Sequence, residues 1–201
     1  MTISAFDIAI LGAGPVGRVL ALMLARVAPD PARIALLAGA SPAPVTPAAA
    51  IPVADPRVLA MNHGSRVLLE SLNAWPAKAA DILNIHVSQR GRLGRSVIQH
   101  TDFDVPQLGC VVAYSALHAK LEERVAASGV TLLSGPPAQI DGQDGDGVRI
   151  SQGDTALSCR IAVQSDGAGA SDLRRDYGQH ALLTTVHATL CLLYTSPSPR
   201  D

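Results

Sequence analysis

Ring-bearing side chains are rare in this 201-residue sequence: two Phe, three Tyr and one Trp, 3% of the chain. That excludes the interleaved aromatic platform on which proteins stack single-stranded nucleic acid. Charge is scarce too. Charged residues make up 16% and the net charge is −1, so there is no basic face for a phosphate backbone and no nucleic-acid partner is expected. The three cysteines, Cys110, Cys159 and Cys191, include no close pair. An odd number at scattered positions excludes a disulfide framework and fits free thiols in a reducing compartment. No stretch reaches the roughly 18 consecutive apolar residues of a spanning helix; the longest candidate, Val19 to Ala28, is interrupted by Arg26. The opening residues, Met1 to Asp7, lack the basic region and apolar run of a secretory leader. The expected location is the cytoplasm, with peripheral attachment to a membrane or to a multi-enzyme assembly as its variant. The six histidines show no spacing such as H-x-x-x-H, so no metal is expected. No serine sits in a G-x-S-x-G turn, which removes the case for nucleophilic hydrolysis.

What is present is apolar. Hydrophobic residues make up 48% of the chain, enough to bury a sizeable core. Asp7 to Leu11 reads as a buried strand, Arg18 to Val27 as a helix stopped by Pro29 and Pro31, and Ile34 to Leu37 as a second buried strand. An Ala/Pro stretch from Gly39 to Pro52 reads as an extended loop. Val58 to Leu72 has helical character, interrupted near Asn62 and Gly64. Asn84 to Ser88 and Ser96 to Gln99 read as strands joined by a turn at 89–94, and Cys110 to Ala113 as another strand. Ser115 is the expected N-cap of a helix from Ala116 to Ala127, with Gly129 as its stop. Val130 to Leu133 is a strand. Gly147 to Ser151 and Thr155 to Cys159 flank Gln152-Gly153-Asp154 as a hairpin, and Ile161 to Gln164 runs into Ser165-Asp166-Gly167. The expected fold class is α/β: a Rossmann-like domain with a parallel sheet and an inserted antiparallel meander.

The chemistry-bearing motif is Gly12-Ala13-Gly14-Pro15-Val16-Gly17, placed between a strand and a helix. Gly12 permits the tight turn, Gly14 lets backbone approach a pyrophosphate, and Gly17 lets the helix pack closely. The helix start offers unpaired N–H groups and the positive end of a dipole to phosphates. The bland alternative is a glycine turn with no ligand. An acidic residue that would hold a ribose hydroxyl belongs about 20 positions on, where this chain has Leu37, Ala38 and Gly39. Asp30 precedes the strand and reads as a loop residue. The ribose must then be held by backbone, water or another side chain.

Three further segments carry a resemblance. Asp55-Pro56-Arg57-Val58-Leu59-Ala60-Met61 resembles the D-x-R-x-x-A-L segment of flavoprotein aromatic hydroxylases. Ile85 to Gly94 is similar to the HVSDRGHFG stretch of the ubiquinone-biosynthesis hydroxylases. Ser165-Asp166-Gly167-Ala168-Gly169-Ala170-Ser171-Asp172-Leu173-Arg174 resembles the family's ADGxxSxxR segment, and Tyr177-Gly178-Gln179 also matches. Among these the nearest subgroup is the 2-polyprenyl-6-methoxyphenol hydroxylases. The resemblance implies an FAD enzyme in which NAD(P)H reduces the flavin, dioxygen is taken up, and one oxygen passes to an electron-rich prenylated phenol. It implies that Gly12, Gly14, Pro15 and Gly17 line the FAD pyrophosphate, that Arg57 contacts the cofactor, and that Asp166 and Gly167 form the second nucleotide-facing turn. Alternative roles are a solvated helix-start arginine for Arg57 and a plain Asp-Gly turn for Asp166; Arg90, Arg92 and Arg95 read as a solvated hairpin, with steering of an anionic ligand as the alternative.

The domain reading follows from the resemblance. Residues 1–176 are the FAD-binding part, with a substrate-domain excursion around 84–108, and 177–190 begin the substrate domain. The last residues, 191–201, resemble the translation of a transposon-end sequencing adaptor and read as a non-native tail. The expectation is a truncated chain, without catalytic residues of its own and inactive by itself. A non-catalytic nucleotide-binding fragment and a nicotinamide-dependent dehydrogenase stand as the alternatives.

Overall fold

The computed structural model describes residues 4–39, 55–88, 94–167 and 178–179. In chain order these form β1 (Ser4–Leu11), α1 (Pro15–Ala25), β2 (Ile34–Gly39), β3 (Val58–Asn62), α2 (His63–Ser71), β4 (Ala80–Ile82), β5 (Asn84–Ser88) and β6 (Arg95–Gln99). There follow β7 (Gly109–Ala113), α3 (Tyr114–Ala126), β8 (Thr131–Gly135), β9 (Gln139–Asp144), β10 (Gly147–Gln152) and β11 (Thr155–Gln164). The Ala/Pro loop at 40–54, the turn at 89–93 and the segments at 168–177 and 180–201, with the tail, lie outside the described residues.

The main sheet has the order β8-β2-β1-β11-β10-β9. Its first four strands are parallel, and β10 and β9 continue it antiparallel. The fold is therefore mixed α/β, with a parallel sheet and an antiparallel extension. The parallel part is apolar on both faces, as strands covered on both sides must be. Ile10, Ile34 and Leu36 face α1 and α3, where Ala21 and Leu22 meet Leu117, Leu121 and Val125. The α3 residues recur every four positions and make one apolar stripe. Ala9, Leu11, Ala35 and Leu37 face the other way and pack with Ile150, Leu157 and Cys159 of the meander. The meander thus curls back over the sheet it extends. Its tip is locked there by Gln152, a buried amide whose Nε2 donates to the carbonyls of Ala38 and Pro136, each at 3.1 Å.

Two smaller sheets stand apart: β3-β7-β4, and the two-stranded ribbon β5-β6. Here the structure corrects the sequence reading. Val58–Asn62 is not helix but a strand antiparallel to β7. The alternation in V-L-A-M-N turns Leu59 and Met61 toward the core and leaves Val58 and Ala60 outside. The irregularity at Asn62 is the junction: its Oδ1 accepts the Ser65 N–H at 2.7 Å and caps α2. Ser115 is not the cap of α3. That helix begins two residues earlier, at Tyr114, with Ala113 at the cap position and no side-chain cap bond. The Tyr114 N–H donates instead to the Arg57 carbonyl, at 3.0 Å. Two short strands, β4 and β9, were not anticipated, and the segments 155–159 and 161–164 are one strand, β11, paired with β1 along most of its length.

Candidate functional site

The glycine turn leaves β1 at the C-terminal end of the parallel sheet, between β2 and β11. Gly12 has φ +112°, which favours glycine, and its N–H donates to the Leu37 carbonyl at 2.9 Å. A Cβ on Gly12 would lie 2.6 Å from the Asp166 nitrogen. One on Gly17 would overlap the Gly12 carbonyl oxygen and come within 2.6 Å of the Ser165 Oγ. Gly14 differs: φ is −71°, and nothing lies within 4 Å of the place its Cβ would take. Two of the three glycines make room for protein; the third faces open space. Pro15 occupies the first turn of α1, where its missing N–H costs nothing.

That open space is a cavity of about 530 Å³, within the span of small-molecule sites, about 300–1,000 Å³. Its floor is the turn itself. Ala38 and Gly39 at the end of β2, with Pro137 and Ala138 beyond β8, make one side; Tyr114 and His118 of α3 make the other; Ser165 and Asp166 close the third. Helix α1 starts at this space, and among the described residues no atom lies within 4 Å of the place a Cβ on Gly14 would take.

The sequence-predicted residues divide three ways. Gly12, Gly14 and Asp166 line the cavity together, and Gly17 stands directly behind it. Gly167, at φ +74°, continues the second turn, and Pro15 opens onto a neighbouring apolar groove along α1, α2 and α3. Arg57 is set back behind Tyr114. Its guanidinium forks onto Asp55, with Nη2 2.6 Å from Oδ2, and lies 4.0 Å from the centroid of the Tyr114 ring. Its side chain is 58% exposed and it precedes a strand, so of its alternative role the solvated part stands and the helix start does not. The guanidinium holds the Asp55 carboxyl below its ordinary range. Asp30, as expected, is a loop residue: its Oδ1 accepts the Ala32 N–H at 3.0 Å.

Four cavity residues were missed by reading the sequence. Ser165 pins the second turn to the first: its N–H donates to the Leu11 carbonyl at 2.8 Å, and its hydroxyl lies 2.9 Å from the Gly12 carbonyl. Arg18 is buried, with Nε donating to the Ala13 carbonyl at 2.7 Å and Nη1 to the His118 carbonyl at 3.3 Å. Tyr114 and His118 stack loosely on one face of α3, with ring centroids 5.9 Å apart. Burial, helped by the charge of Arg18, pushes the His118 imidazole below its usual pKa. The one available signal was Arg18 itself, a charge on the helix face that should pack inward. Chemically, the cavity offers backbone donors and a cation for phosphate, and a carboxylate for sugar hydroxyls.

No family model and no curated protein matches this chain. Solved structures do. p-Nitrophenol 4-monooxygenase PnpA from Pseudomonas putida DLL-E4 is 16% identical, over 85% of this chain and 43% of that one, with a TM-score of 0.59. The flavin-dependent monooxygenase PieE, solved with FAD and substrate, is 20% identical over 82% of this chain and 31% of its own, again with a TM-score of 0.59. OxyS anhydrotetracycline hydroxylase from Streptomyces rimosus gives 20% identity, 82% and 32% coverage, and a TM-score of 0.58. At these identities the likeness is one of fold. The chain has the fold of part of these monooxygenases and spans well under half their length.

Proposed function

We propose that this chain is the FAD-binding part of a flavin-dependent monooxygenase that hydroxylates an aromatic substrate, with a polyprenylated phenol of ubiquinone biosynthesis as the specific substrate. NAD(P)H is the reductant and dioxygen the second substrate. The setting is the cytoplasm, at or near a membrane surface. In this reading residues 1–176 hold the cofactor, with the ribbon at 84–108 and residues 177–190 belonging to a substrate-binding unit. The chain alone is inactive.

One observation carries the reading: two interlocked turns leave Gly14, at the start of a helix, with open cavity where its Cβ would stand. A dinucleotide suits that cradle. The first N–H groups of a helix have no partner within it and suit a diphosphate, and Gly14 removes the Cβ that would hold it off. Asp166 lies where a carboxylate can accept hydrogen bonds from the hydroxyls of a sugar or ribityl chain. No carboxylate stands at the end of β2, so the adenosine ribose meets Ala38, Gly39 and Pro137 backbone instead. The flavin, when bound, supplies oxygen activation. The residues of this chain bind and orient it. Fold likeness to enzymes whose names are those of monooxygenases supports the assignment.

The test is one glycine variant beside the wild-type chain. Gly14→Ala has an ordinary φ and open space, so it folds with an unchanged melting temperature but loses about tenfold in FAD or ADP affinity, measured by titration calorimetry. Wild-type chain that is colourless when purified, and that binds neither FAD nor ADP at millimolar concentration, would sink the reading.

A further inference from the structure

We propose that Arg18 is the anion-recognising side chain of this cavity, so that the chain selects ligands carrying a diphosphate over the uncharged nucleoside. The inference rests on the reading of the cavity as a dinucleotide site and assigns that site its charge selectivity.

Arginine is out of place on the inner face of α1. Its neighbours there, Gly17, Ala21 and Leu22, are small or apolar and buried. Burying a guanidinium is costly unless its charge is met. The bonds of Arg18 go to two carbonyl oxygens, of Ala13 and His118, which carry no net charge. The carboxylate that pairs with it among the described residues, Glu122, is 3.8 Å away and 60% exposed, so water screens it. Those bonds use Nε and Nη1; among the described residues Nη2 makes none. The side chain lines the cavity beside Gly12, Ala13 and Gly14. A cation held there, with little compensation from protein, sits beneath the spot where the helix mouth gathers negative charge. The other titratable or charged groups around it are His118 and Glu122 on α3, Arg57 behind Tyr114, and Asp166 across the cavity. Arg57 is set back behind Tyr114, so Arg18, which lines the cavity, is the cation that meets a phosphate directly.

The competing role is a strut: Arg18 ties the glycine turn to α3 and does no more. The ratio of two affinities separates the roles. The whole chain, as wild type, Arg18→Lys and Arg18→Leu, is titrated with ADP and with adenosine at low and moderate salt. Leucine replaces a buried charge by an apolar side chain, a change that folded proteins tolerate, and a melting curve checks that the variant is folded. We expect Arg18→Leu to weaken ADP about tenfold, to leave adenosine within about twofold, and to flatten the salt dependence of ADP binding. Arg18→Lys keeps most of the preference as a point charge. Equal weakening of ADP and adenosine, or no change in either, overturns the inference while leaving the dinucleotide reading standing. Wild-type chain that binds neither overturns both.

Discussion

Around Gly12 the backbones of two turns interlock, 153 residues apart in sequence: the Ser165 hydroxyl reaches the Gly12 carbonyl, and the Asp166 nitrogen fills the space a Cβ would need. The β5-β6 ribbon is built differently. Every residue of β5 is exposed, and Ile85, Val87 and Val97 stand 40–54% open to solvent. One region is held by close packing from several elements at once, the other chiefly by its own backbone ladder. The contrast teaches where this chain can tolerate change. A two-stranded ribbon is at best marginal alone, whereas the interlocked turns fail if any partner grows.

The sharpest way to break this comparison is Gly17→Ala. The new methyl collides with the Gly12 carbonyl and Ser165, so we expect a loss of about 3 kcal/mol or more, read by urea denaturation; a wild-type midpoint would refute the interlock. Gln152→Leu comes next. It leaves the Ala38 and Pro136 carbonyls without their buried donor, at a cost of about 1–3 kcal/mol, and loosens the wall of the cavity, visible as faster amide exchange in β2 and β8. A smaller effect is expected from pH. The folded pKa of His118 lies below its unfolded value of about 6.5, so the folded state binds fewer protons, and stability is fully present above that value and falls as pH drops through it. Melting temperatures between pH 7.5 and 5.5 should decline less steeply for His118→Gln than for wild type; parallel slopes would remove His118 from the account. Least of all, Val87→Thr in the ribbon should stay within about 0.5 kcal/mol of wild type. A larger loss there would mean the ribbon is packed after all.

Local patterns in this chain are legible in its sequence, and long-range contacts are not. The glycine turn, the β1-α1-β2 unit and the β10-β11 hairpin were legible because their periodicity and turn residues are contiguous. Val58–Asn62 reads as helix in the sequence because five residues of V-L-A-M-N suit either period, and β7, about 50 residues away, makes the choice. Arg18 and His118 carried no motif. Their meeting spans 100 positions.

By itself the sequence determined the α/β class and the turn at Gly12-Gly17, since glycine spacing and apolar runs act through nearest neighbours. Tertiary structure alone decided that Ser165 and Asp166 close over that turn, that Arg57 stands behind Tyr114, and that Arg18 lies buried beside the opening. Such contacts depend on which surfaces come together when the apolar faces of distant strands and helices leave water, and no local pattern encodes that.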